Sequence, residues 1–145
     1  MKNKIEHCQS LLTKLNWLPP LLARITVGVV FVESGWGKLH NIEKVVGYFT
    51  ELGIPFPVIQ APMVAAIEFG AGLLLIVGAG TRIVALPLIA IMTVAIATAK
   101  AEEISTVSDI FGFSEFLYVV LLAWLTVSGP GKIAMDHLIF KNWRI

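Results

Sequence analysis

The sequence predicts an all-α integral membrane protein: a four-helix bundle with short amphipathic helices lying at the membrane interface. Three observations predict it. Four stretches are nearly free of charge, and they approach the roughly 20 residues that a helix needs to cross a bilayer. Only 14% of the 145 residues are charged and 57% are hydrophobic, with a mean hydropathy of +0.82, whereas soluble domains carry roughly 25% charged residues. Two of the segments outside those stretches repeat their apolar residues at helical spacing.

The elements follow in order, within a single transmembrane domain covering residues 1–145. Over about 3–17, Ile5, Cys8, Leu12 and Leu15 share one helical face, with Lys4 and Lys14 elsewhere. Such a helix can lie on an anionic leaflet. The first span is read over about 19–39, with Pro19 and Pro20 at its start, where a missing N–H is harmless. A second interfacial helix is read over about 41–52 from Ile42, Val45, Val46, Phe49 and Leu52. Asn41 is its expected cap, and Gly53, Pro55 and Pro57 stop it. This helix is placed to lid the outer mouth of the bundle. The second span runs over about 58–80 and the third over about 82–101. Gly80-Thr81 makes the hairpin between them, with Gly ending one helix and Thr capping the next. Pro87 is expected to kink the third span. The fourth is read over about 112–130, with its apolar part at Ser114–Ser128 and a start as early as Ile110.

Charge sets the orientation. With four spans, both termini share a side that collects Lys2, Lys4, Lys14, Arg24, Arg82, Lys132, Lys141 and Arg144. The other side holds Lys38, Lys44 and Lys100. The positive-inside rule then places both termini in the cytoplasm of a bacterial inner membrane. The first apolar run is broken by Arg24 and Glu33 and lacks a small-x-small cleavage site, so the chain is expected to be full length. A net charge of +1 argues against nucleic acid.

Glu68 carries the functional signal. It lies near the middle of the apolar run from Val58 to Gly80, and an ionisable group inside a span marks a functional site by default. Ala61, Ala65, Glu68 and Gly72 form one stripe, so small residues let a neighbour approach and Glu68 points into the bundle. Its candidate partners are Lys38 and Lys100 from one side, and Arg24 and Arg82 from the other. Two readings stand open. One is an ion pair that fixes helix register. The other is a desolvated carboxyl that exchanges a proton. On the first span, Arg24, Gly28, Phe31, Gly35 and Lys38 share the face expected to meet the bundle. Glu33, Gly37 and His40 share the opposite face. Arg24, Arg82, Lys38 and Lys100 can also simply snorkel at the interfaces, and an interfacial His40 is most often just solvated. Ser34-Gly-Trp-Gly-Lys38 and Ser128-Gly-Pro-Gly-Lys132 lack the phosphate-loop pattern and read as glycine C-caps followed by a lysine.

Several motifs together resemble the DoxX family of small four-span bacterial membrane proteins. They are Arg24, Gly28, Phe31, Gly35 and Lys38; Leu52-Gly53-Ile54-Pro55 with Pro57; Glu68, Gly70 and Gly72; Gly80-Thr81-Arg82; and Gly129-Pro130-Gly131-Lys132 running to Asp136. The resemblance covers about residues 20–137 and implies the fold. It also implies an association with redox complexes, because relatives include a small membrane subunit of a thiosulfate:quinone oxidoreductase. Glu33 lies outside the family pattern.

The sequence offers no redox centre of its own. Histidine occurs only at His7, His40 and His137, none at mid-span, and Cys8 is the single cysteine. No haem, iron–sulfur or metal site is expected, and no intrinsic cofactor. Electrons must come from a partner or from a bound quinone. The leading expectation is therefore an accessory or anchoring subunit, non-catalytic rather than an enzyme itself. It would hold a soluble oxidoreductase at the bilayer, with a quinone or proton site around Glu68, Lys38 and Arg82. The alternatives are a small proton- or ion-coupled transporter or channel working as a homo-oligomer, and a structural scaffold.

Overall fold

The computed structural model describes residues 13–140. The interfacial helix read over 3–17 lies outside them except for its last residues. Seven α-helices follow: α1 (Leu18–Leu39), α2 (Ile42–Glu51), α3 (Pro57–Val77), α4 (Thr81–Thr98), α5 (Val107–Gly112), α6 (Ser114–Ser128) and α7 (Met135–Phe140). A 3-10 turn at Ala101–Glu103 precedes α5. The protein is an all-α membrane protein. Helices α1, α3 and α4 are long and apolar enough to cross a bilayer, and α6 is a shorter apolar helix. Together these four form the bundle. Its neighbours run in the ring α1, α3, α4, α6 and back to α1.

The α1–α3 pair is the tightest contact. The two helices are antiparallel, and glycines let their backbones nearly touch. A Cβ on Gly72 would lie 2.8 Å from the Gly28 oxygen and 2.8 Å from the Val32 nitrogen. One on Gly35 would meet the Ala65 oxygen at 2.8 Å. The buried stripe Ala61, Ala65, Glu68 and Gly72 of α3 lies along this seam. Behind it, Val27, Phe31, Leu75, Leu88 and Leu122 build the shared core.

The fourth apolar helix covers Ser114–Ser128, the apolar part read from the sequence, and starts no earlier. Thr106 and Asp109 form a reciprocal capping box that starts α5 as a separate element. Phe113 is extended, with φ −77° and ψ 136°, and so breaks the chain before α6. Residues 110–113 therefore do not extend the span.

The α3–α4 hairpin also departs from expectation. Gly78 and Gly80 both take left-handed φ values, 76° and 60°, which glycine adopts without steric penalty. Thr81 does not cap α4; it is fully buried and its hydroxyl has no hydrogen-bond partner among the described residues. The cap comes from far along the chain. Asp136 accepts the Gly80 N–H at 2.7 Å and the Thr81 N–H at 3.1 Å, placing a carboxylate at a helix N-terminus. Its own N–H donates to the Gly78 oxygen at 3.0 Å. Asn41 likewise does not cap α2, since its side-chain amide donates back to the Gly37 oxygen at 2.9 Å. Of the two SGxGK segments, only the second ends a helix on glycine, at Gly129. Gly35 and Gly37 lie within α1. Pro87 sits inside a continuous α4.

Filling the seam tests the packing. Gly72→Val is expected to cost about 1–3 kcal/mol by overpacking. Gly37→Val, where nothing stands within 4 Å of the added Cβ, is expected to change stability by less than about 0.5 kcal/mol. Unfolding in mild detergent measures both.

The capping box has a pH signature. The Thr106 and Ser105 backbone N–H groups hold the Asp109 carboxyl below its ordinary value. A depressed folded value means that the cap stabilises α5 above the unfolded value, about 3.9, and that this is lost as pH falls through the depressed one. The Ser105 and Thr106 amide NMR shifts are expected to titrate with a midpoint below about 3.9.

Candidate functional site: a buried ion pair in a membrane cavity

The seam register brings the C-terminal end of α1 alongside the first half of α3. Phe31, Ser34 and Lys38 recur on one α1 face at helical spacing. Lys38 reaches both carboxylate oxygens of Glu68, with Nζ at 2.5 Å from each. The Ser34 hydroxyl donates to Oε2 at 3.0 Å. Glu68 is 0% exposed, while the Lys38 side chain keeps 27% of its surface. The carboxylate is thus sealed behind the lysine and the serine, and the lysine side chain borders open space.

That space is a cavity of about 730 Å³, within the range of small-molecule sites. Its walls are mostly apolar. Phe31 of α1, Val64 and Ile67 of α3, Pro87 and Ile91 of α4, and Tyr118 of α6 line it, with Tyr48 and Phe49 of α2 over the outer end. Phe31 and Tyr118 pack with ring centroids 6.1 Å apart. Convergent polar groups come from Lys38, Ser34, Gln60, Lys44 and Glu115. Among the described residues no cluster of His, Cys, Asp and Glu can hold a metal ion.

The structure divides the seven sequence candidates among four places. Glu68 and Lys38 meet in the cavity wall. Arg24 and Arg82 lie at the opposite end. Arg24 is 1% exposed and donates to the Ile133 oxygen, and it packs so tightly that a Cβ on Gly78 would collide with its guanidinium. Arg82 packs against Gly129. Grouping Arg82 with Glu68 and Lys38 is therefore incorrect. Arg82 is not among the residues that line the cavity, whose α4 wall runs from Pro87 to Thr98. Glu33 and His40 are exposed on the outward side of α1. His40 stacks on Trp36 at 4.1 Å and its Nδ1 lies 2.9 Å from the Trp36 oxygen. Lys100 sits beyond α4, paired with Glu103 at 2.8 Å. That carboxylate holds the lysine above its ordinary pKa.

Sequence reasoning missed Ser34, Gln60 and the cavity residues of α2 and α6. Ser34 stands one turn before Lys38, and that spacing was a usable signal. The others come from separate helices, and no local pattern links them.

The DoxX family model matches residues 20–101, more than half of the chain. This chain belongs to the DoxX family. It is 32% identical over 124 residues to "Putative oxidoreductase CatD" of Bacillus subtilis (strain 168), covering 84% of this chain and 87% of that one. It is 27% identical to "Inner membrane protein YqjF" of Escherichia coli (strain K12), over 90% of this chain and 98% of that one. It is 30% identical to "Inner membrane protein YphA" of the same organism, over 81% and 87%. No solved structure matches the chain significantly. The matched region contains the whole α1–α3 seam, both members of the ion pair and the α4 wall of the cavity of this DoxX protein.

Removing one member of the pair strands the other. Lys38→Met leaves an unpaired buried carboxylate and is expected to destabilise the fold by about 3–5 kcal/mol. The double variant Lys38→Met with Glu68→Leu is expected to recover most of that loss, since a well-packed apolar pair often matches a buried ion pair. Denaturation of the two singles and the double gives the coupling directly.

Proposed function

We propose that this protein is a membrane accessory subunit of an oxidoreductase, and that its cavity holds a quinone headgroup at Lys38. One observation carries the reading: a paired lysine whose side chain keeps 27% of its surface, over a fully buried carboxylate, lines an otherwise mostly apolar cavity of about 730 Å³. That arrangement suits a ligand with an apolar ring and a polar oxygen. A quinone, when bound, supplies two-electron, two-proton acceptor chemistry. The chain's own residues do simpler work. Lys38 donates a hydrogen bond to the ligand oxygen and holds a proton at Nζ. Glu68 and Ser34 fix the lysine head in place. Phe31, Ile67 and Tyr118 exclude water from the ring. The name of the Bacillus subtilis relative, a putative oxidoreductase, agrees with a redox setting.

Electrons then come from a partner, for which a soluble oxidoreductase docked at the membrane is the simplest choice. By the Lys and Arg distribution, both termini face the cytoplasm and the cavity lies in the outer half of the bilayer. A transporter is the weaker reading. Beneath the cavity, Val27, Leu75, Leu88, Leu122 and Leu125 are fully buried, so among the described residues an apolar layer separates it from the far side.

The test is quinone binding and complex recovery. The purified protein, titrated with a short-chain water-soluble quinone, is expected to show saturable quenching of Trp and Tyr fluorescence. Ser34→Ala, which keeps the ion pair, is expected to weaken binding several-fold, about 0.5–1.5 kcal/mol for one hydrogen bond. Mild-detergent extraction from native membranes is expected to recover an oxidoreductase subunit in stoichiometric amount. Absence of both quenching and partner defeats the reading.

A further inference from the structure

The outward face of α1 presents a different problem from the cavity. Glu33 is exposed there, six residues before the end of α1 at Leu39, or about 9 Å along the helix axis. Among the described residues it makes no ion pair or hydrogen bond. A lipid-facing carboxyl inside a span is costly unless something satisfies it.

The nearer interface does not solve it. In a helix each Cα–Cβ bond tilts toward the N-terminus. The N-terminus of α1 lies at the opposite membrane face, so the short Glu33 side chain sets out deeper into the bilayer, away from the nearer headgroups. A satisfying cation must therefore sit inside the hydrocarbon layer, and only a transmembrane helix carries one there.

The surface around Glu33 has the shape for such a helix. Val29, Val32 and Trp36 of α1 and Phe69, Leu73 and Ile76 of α3 border an open apolar groove of about 430 Å³ with Glu33 on its edge. Trp36 and Phe69 pack at 5.6 Å along it. The groove follows the glycine seam, where α1 and α3 lie too close to leave ordinary side-chain ridges. Gly37, one turn above Glu33, has nothing within 4 Å of where a Cβ would stand, so a neighbouring backbone can approach. Amphipathic or apolar helices dock in grooves of this form.

The described part of the bundle helices of a second copy does not supply the cation. Arg24 is buried, Lys38 is held by Glu68, and Lys100 is held by Glu103. Arg82 packs on Gly129 at the other end of the bundle. Lys14, Lys44 and Lys132 are exposed but lie outside the four bundle helices, so among the described residues no lysine or arginine of those helices is left to meet Glu33.

We propose that the α1–α3 face centred on Glu33 is the docking surface for a transmembrane helix of a different polypeptide, one that carries a lysine or arginine within its span. This surface is separate from the cavity, and its test does not depend on quinone binding.

The test uses a defined helix. The full chain is reconstituted in phosphatidylcholine vesicles with a labelled leucine–alanine transmembrane peptide of roughly 20 residues. One version carries a single lysine placed at the depth of Glu33, and the other carries leucine there. Energy transfer from the protein's tryptophans reads association. The lysine peptide is expected to bind about three- to tenfold more tightly than the leucine peptide. Glu33→Gln is expected to erase the difference, and Glu33→Lys is expected to restore binding to a peptide carrying glutamate. Equal binding of both peptides to the unaltered chain overturns the proposal without any variant. So does self-association of the chain that Glu33→Gln abolishes, which would make the occupant a second copy.

Discussion

The close approach of α1 and α3 at Gly28, Gly35, Ala65 and Gly72 governs the rest of the molecule. Lipid chains are as apolar as leucine, so burial of apolar surface does not drive helices together inside a membrane. Contact has to come from van der Waals packing at short range, and only small residues permit it. Once Gly72 lies against the Gly28 carbonyl and Gly35 against the Ala65 carbonyl, the register of the pair has no freedom left. That register sets Ser34 and Lys38 over Glu68. The ion pair depends on the seam, and in turn penalises any slip that would separate its charges.

The two ends of the bundle are finished differently, and the difference separates structure from function. At the end near the α3–α4 hairpin, Asp136 caps α4, and Arg24 donates to Ile133 just before α7. Gly131 lies so near Pro20 that a Cβ there would be 2.6 Å from its ring. These contacts tie the segment after α6 back across α1 and α4. At the opposite end the helices part, and α2 covers the gap only loosely, with none of its residues fully buried. Rigidity at one end and space at the other is a common division in helix bundles that bind small molecules between their helices.

The buried pair is weak evidence for stability and stronger evidence for a site. Withdrawing a carboxylate from water costs several kcal/mol, and one lysine repays that only with good geometry and added hydrogen bonds. Here the lysine is bidentate and Ser34 adds the further bond. The lysine side chain also keeps 27% of its surface and lines the cavity, which lowers its desolvation cost.

Composition and periodicity alone determined the membrane setting, the helical class and the inward face of α1, because those depend on hydropathy and on the 3.6-residue repeat. Glu68 was legible for the same reason: one carboxyl interrupting an apolar run stands out in any frame. Its partner was not. Four basic residues were open to it, and only the glycine-fixed register of α1 against α3 selects Lys38 and sends Arg24 and Arg82 to the far end. The cap on α4 was hidden in the same way, since Asp136 lies some 55 residues beyond the N–H groups it accepts and displaces the local choice, Thr81. The cavity was invisible too, because its walls come from five helices whose separation is set by packing. Local sequence specifies what each helix carries; which side chains face one another follows from long-range contacts that only the folded bundle creates.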